Sequence, residues 1–96
     1  MSDPRNPVKP DPGTDREMLI GAIRLVVSQQ FAAVTNVQRK MRIGFGLACR
    51  LFNYMEGWGV IAPTVGTKAH DVLMTADEAE AVIAELRHPK ETTDAR

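Results

Sequence analysis

The chain has 96 residues, room for one small domain with tails, and its formal net charge is zero, so overall charge points to no nucleic-acid or membrane partner. A single cysteine excludes an internal disulfide framework, and cytoplasmic residence is the default. The opening Met1-Ser2-Asp3-Pro4-Arg5 does not read as a signal peptide, and the apolar runs are too short to cross a bilayer, so no membrane partner is expected.

Residues 1–14 hold Pro4, Pro7, Pro10, Pro12 and Gly13 with little apolar bulk, which predicts an unfolded or polyproline-like lead-in. The chain opens on Met1 without a purification tag and is expected to be a short natural protein. Asp15 is a candidate N-cap for helix 1, with Glu17 favourable in its first turn. Met18, Leu19, Ala22, Ile23, Val26 and Val27 follow one-face helical spacing, and the helix should end near Gln29 or Gln30. Phe31-Ala32-Ala33-Val34 reads as a first short strand. Thr35 and Gln38 match a capping box, opening a second helix to about Arg42 with Val37 and Met41 inward. Gly44 is the expected turn residue.

A third helix follows from Phe45 to Trp58. On a wheel, Ala48, Leu51, Phe52, Met55 and Trp58 share one side, with Phe45 and Leu47 at its edges. The opposite strip carries Gly46, Arg50, Asn53 and Gly57, flanked by Cys49 and Tyr54. Gly59 is the expected cap. Val60-Ile61-Ala62 and residues 69–74 read as two strands around a turn-rich Pro63–Lys68, a small β-hairpin wing. Thr75-Ala76-Asp77-Glu78 is a second capping box, and Ala79, Val82, Ile83 and Leu86 form the stripe of a last helix. His88-Pro89 ends it, with 89–96 expected to be a disordered tail. The fold class is α+β, mostly α: a winged helix-turn-helix over 15–74 with an added C-terminal helix over 75–88.

Charge is unevenly distributed. From Met18 to Met55 there is no Asp or Glu, but there are Arg24, Arg39, Lys40, Arg42 and Arg50. A basic face on a neutral chain is still an electrostatic footprint for phosphate. In a helix-turn-helix the second helix of the pair enters the major groove of duplex DNA. Arg50, at the centre of the outer strip, could then fork onto O6 and N7 of guanine. Asn53 lies one turn on, and Gly46 lets the backbone approach; these three form the base-reading set. Thr35, Gln38, Arg39, Lys40 and Arg42, with Lys68 and His70 in the wing, form the phosphate-binding set.

No enzyme is expected. Ser28 and Cys49 stand without patterned partners, and His70-Asp71 on a strand would point to opposite faces. Two histidines and one cysteine make no zinc spacing, and the glycines form no phosphate loop, so neither metal nor cofactor is expected.

Residues 15–74 resemble a known family. The motifs are Val37-Gln38-Arg39-Lys40-Met41-Arg42-Ile43-Gly44-Phe45, then Ala48, Arg50-Leu51 and Met55-Glu56, followed by Gly59-Val60-Ile61, Pro63, Gly66-Thr67-Lys68 and Asp71-Val72-Leu73. They are similar to the γ domain at the C-terminus of FtsK/SpoIIIE-type bacterial DNA translocases. The resemblance implies a winged-helix module that reads short, G-rich, polar sites on double-stranded DNA in the nucleoid and orients a motor in chromosome segregation. It also implies contact with a tyrosine recombinase. The family's Asn-Arg pair after the aromatic residue falls on Gly46 and Leu47, its base-reading arginine on Arg50, its later acidic residue on Asn53 and its wing arginine on His70. Arg50 and the phosphate contacts carry over; the identity of the DNA site does not. Without a motor such a domain cannot translocate. It would compete for a motor's sites, regulate a promoter or act on a recombinase, as a chromosomal or mobile-element protein.

Two alternatives follow from the same residues. The fold could serve as a protein-interaction module docking on a tyrosine recombinase or a translocase motor, using exposed Leu47, Tyr54 and Trp58. The stripe from Ala79 to Leu86 could form a weak homodimer helix, or pack on the body of its own domain.

Overall fold

Leu19, Ile20, Ala22, Ile23, Val26 and Val27 recur at three- and four-residue spacing, and all are buried on one face of α1 (Arg16–Gln29). In the computed structural model, which describes residues 9–64 and 68–88, this face is the centre of the core. Around it pack α2 (Val34–Met41), α3 (Phe45–Gly57) and α4 (Ala76–Arg87). Val37 from α2, Leu51 and Met55 from α3, Val60 and Ile61 beyond it, and Ile83 from α4 close the core with essentially no exposure. Each such aliphatic side chain contributes about 1.5–3 kcal/mol on burial. Among the described residues no helix is long and apolar enough to cross a membrane.

α1, α2 and α3 end in the same way. Gln30, Arg42 and Gly59 take left-handed backbone at φ 52°, 58° and 78°. The next residue in each case, Phe31, Ile43 or Val60, donates its amide five residues back, to Val26, Gln38 or Met55. These are the bonds of the Schellman motif, which satisfies carbonyls the helix leaves open. Gly59 suits that conformation because it lacks a Cβ. Gln30 is tied there by its own side chain, whose Nε2 donates to Val27 O at 2.9 Å and Met74 O at 3.3 Å. Arg42 has no such tie among the described residues.

Several expectations change. The segment Phe31–Val34 is not a strand: only Ala32 makes a bridge, to His70, and Val34 already begins α2. The capping box at Thr35 does not form. Ala33 is the N-cap in extended backbone, and Thr35 lies inside the first turn, where its hydroxyl cannot cap. The end of α2 is anchored instead by buried Asn36, whose Nδ2 donates to Gln29 Oε1 at 2.8 Å. The left-handed turn between α2 and α3 is made by Arg42, not by Gly44, which sits at φ −77° with room for a Cβ.

The strands expected around Val60 and after Ala69 are represented by one antiparallel bridge, Ile61 with Val72. Ala62 N donates to Asp71 O at 2.9 Å, Leu73 N to Val60 O at 2.8 Å, and His70 N to Ala32 O at 2.8 Å. Among the described residues no longer strand forms, and the tip of the expected wing, 65–67, lies outside them.

The expected capping box of α4 does form: Thr75 Oγ1 accepts from Glu78 N at 3.3 Å, and Glu78 Oε1 accepts from Thr75 N at 2.8 Å. The stripe of Ala79, Val82, Ile83 and Leu86 is buried within the chain, with α4 packed on α1, so of its two uses it takes packing.

Packed structure begins earlier than composition suggests. Pro12 is buried, and Gly13–Asp15 form a 3-10 turn that leads into α1. Pro10 lies against the end of α3: its carbonyl accepts from Trp58 Nε1 at 2.7 Å, and a Cβ on Gly57 would fall 2.6 Å from its ring. Lys9 Nζ sits 5.0 Å from the centre of the Trp58 ring and 3.7 Å from Glu85. Residues 1–8 of the tail expected over 1–14, and the tail expected over 89–96, lie outside the described residues.

Candidate nucleic-acid interface

α2 and α3, joined by Arg42, Ile43 and Gly44, bury Val37, Ala48, Leu51, Phe52 and Met55 and turn the remaining faces outward. Thr35, Arg39, Lys40 and Arg42 are exposed on α2 and its end, and Gln38 is half-buried. Gly46, Arg50 and Asn53 are exposed along the outer strip of α3, and Lys68 is exposed in the segment before α4. Gly46, Arg50 and Asn53 therefore reach solvent as the wheel of α3 predicts. Gly57, at the far end of the strip, is exposed, but the place a Cβ would take there is filled by the Pro10 ring.

Pairing divides the cations into two groups. Arg16 binds Asp11 at 3.0 Å, Arg24 binds Glu80 at 3.5 Å and Lys9 binds Glu85. These exposed pairs contribute little to stability, about 0–1 kcal/mol each. Among the described residues Arg39, Lys40, Arg42 and Lys68, and Arg87 at the end of α4, are exposed without an acidic partner.

Arg50 differs from both groups. Its Nε donates to Asp15 Oδ2 at 3.0 Å and its Nη2 to Asp15 Oδ1 at 3.4 Å. The Arg50 pKa is pushed further up, first by this hydrogen bond and then by the charge of Asp15, so the guanidinium stays cationic. Asp15, expected as a helix cap, makes no side-chain cap bond.

His70 is turned inward, unlike the outward-reaching wing residue expected. Its side chain is only 10% exposed. Nδ1 lies 2.7 Å from Ala62 O and 3.4 Å from Glu56 Oε2, and the ring tilts against Phe52 at 5.1 Å. In this position it organises the bridge region and does not extend toward a ligand.

Two features of this face escape sequence reasoning. Asp15 is one, since a contact across 35 positions leaves no local signal. Phe45 is the other: it lies at the edge of the wheel, yet it is 63% exposed at the start of α3 between two glycines. Leu47, Tyr54 and Trp58, expected to be exposed, are partly buried and pack on the core. Among the described residues the exposed large apolar side chains are Phe31, Phe45 and Leu73. Among the described residues no group of three or more His, Cys, Asp or Glu could hold a metal ion.

These features define a small, mostly helical domain built on a tightly joined helix pair with an unpaired cationic face. Residues 13–75 match the family model described as the Ftsk gamma domain. The chain is 43% identical over 83 residues to the DNA translocase FtsK of Mycobacterium leprae, a match covering 86% of this chain and 10% of that protein. It is 46% identical over 77 residues to the DNA translocase FtsK of Streptomyces avermitilis, covering 80% of this chain and 8% of that one. For Tropheryma whipplei FtsK the identity is 36% over 74 residues, with 77% and 10% covered. The chain belongs to the FtsK gamma domain family. It spans a small part, 8% to 10%, of the length of these relatives.

Proposed function

We propose that this chain is a sequence-selective duplex-DNA-binding domain, without enzymatic activity of its own, acting in the cytoplasm on nucleoid DNA. α3 lies in the major groove, and α2 with its C-terminal turn holds the phosphate backbone. The observation that carries this reading is the division of charge. On the helix pair and the segment before α4, Arg39, Lys40, Arg42 and Lys68 are exposed without acidic partners among the described residues, whereas Arg16, Arg24 and Lys9 elsewhere are paired with acids and Arg87, on α4, stands alone. Unpaired cations are what counterion release on DNA requires. Membership of a family whose relatives are named DNA translocases supports the same partner. Arg50, with Asn53 and Gly46, meets the base edges. The bridge between Ile61 and Val72 is the base of a β-hairpin wing that brings Lys68 to the flanking backbone.

Selection from a randomised duplex pool at two salt concentrations tests this. Enrichment of a short directional motif, G-rich as in the family, is the expected outcome. A flat pool with steep salt dependence would leave only backbone binding, and no retention would remove the reading.

The second reading, a protein-interaction module for a tyrosine recombinase or a translocase motor, is favoured by exposed Phe31, Phe45 and Leu73. It predicts that substituting these residues abolishes recombinase or motor binding while DNA binding persists.

A further inference from the structure

Arg50 and Asp15 meet side-on. A guanidinium offers five N–H donors in one plane. The contact with Asp15 engages Nε and one hydrogen of Nη2. Both hydrogens of Nη1 and the second of Nη2 make no hydrogen bond among the described residues. Of those three, one on each Nη lies along the end of the fork, the edge that matches guanine O6 and N7, and the other Nη1 hydrogen points to the far side beside Cδ. The Arg50 side chain is 57% exposed and that of Asp15 only 17%, so the carboxylate sits beneath and the fork projects outward. Asp15 is available for this because it makes no cap bond at the start of α1, despite standing at the N-cap.

We infer that Asp15 is a specificity-determining residue, a carboxylate that positions Arg50 so that its end-on edge meets guanine. The inference rests on the DNA-binding reading above. Two physical effects act together. An arginine held in one rotamer has less freedom to lose when it engages a base. A carboxylate against the guanidinium also cancels much of its attraction for phosphates, which carry no sequence information, while leaving the directional donors intact. Both effects raise the ratio of target to random binding. A simple ion-pair lock, in which Asp15 competes with DNA for Arg50, makes the opposite prediction for target affinity.

The test is equilibrium binding to a duplex enriched from the randomised pool and to a copy whose enriched guanines are changed to adenine. Wild type, D15A, D15N, R50A and D15A/R50A are compared, with circular dichroism confirming the fold of each. In D15A the ratio of the two affinities should fall about tenfold, as expected when one bidentate base contact is weakened, while binding to the altered duplex stays equal or tightens. D15N, which keeps the shape and one acceptor, should lie between wild type and D15A. In the R50A background D15A should leave the ratio unchanged, because Asp15 acts through Arg50. An unchanged ratio in folded D15A, or a gain in target affinity, would overturn the assignment. A wild-type chain that binds both duplexes equally would instead sink the DNA-reading proposal, and the role of Asp15 with it.

Discussion

The indole of Trp58 donates to the carbonyl of Pro10 at 2.7 Å, fastening the segment before α1 to the end of α3. Trp58→Phe keeps an aromatic ring but removes the donor together with part of the indole's bulk. Loss of one hydrogen bond of this kind costs about 0.5–1.5 kcal/mol. A urea titration should show that fall, with helix content unchanged. A midpoint identical to wild type would mean that the contact contributes nothing to folding.

Gly57→Ala attacks the same fastening from the other side. A Cβ there would lie 2.6 Å from two ring carbons of Pro10, so the segment must lift. Alanine in a helix gains roughly 0.5–1 kcal/mol over glycine, which offsets part of the loss. Net stability should therefore move little while Trp58 fluorescence shifts to the red. An unshifted spectrum would show that Pro10 accommodates the methyl group.

Arg42 occupies left-handed backbone at φ 58°, a conformation that costs a non-glycine residue roughly 1–2 kcal/mol. Arg42→Gly should raise stability by about 0.5–1 kcal/mol, after the extra unfolded-state freedom of glycine is subtracted. On the DNA-binding proposal the same change weakens binding, so stability and affinity move in opposite directions. Thermal melts paired with binding isotherms check this, and a variant that gains both would remove the charge of Arg42 from the interface.

Arg39 bears on phosphate contact in general. Arg39→Ala should weaken target and random duplex about equally and reduce the slope of log K against log salt by about 1. An unchanged slope would place Arg39 off the DNA.

Thr75→Ala removes one arm of the α4 capping box and should cost about 1 kcal/mol. Because α4 packs on α1, the loss should appear in a single cooperative unfolding transition. A separate early transition would show α4 folding on its own.

What was legible in the sequence follows from the range of the interactions. α1, α3 and α4 are long enough for their apolar stripes to declare themselves, and the local Thr75–Glu78 capping box was readable. α2 spans only Val34–Met41, too short for its stripe to fix its start, so the local pattern points to a cap at Thr35 that does not form. Gly44 looked like the turn residue because glycine tolerates any backbone, yet Arg42 carries the left-handed conformation. The exposure of Asn53 was legible from the wheel of α3, and that of Arg39, Lys40 and Arg42 from their charge and the absence of acids. The inward turn of His70 was not, since it depends on Phe52, Glu56 and Ala62 converging from separate segments. Proline content likewise concealed the packing of Pro10 and Pro12.

The meeting of Lys9 with Glu85 at 3.7 Å ties the start of the described chain to its last helix through their side chains. The described domain is thus entered and left on one side. Such a domain can be spliced into a host chain or repeated in tandem with short linkers, because neither operation requires the fold to open. The tether also sets the local concentration of whatever it carries, and here that would be similar whichever end holds it.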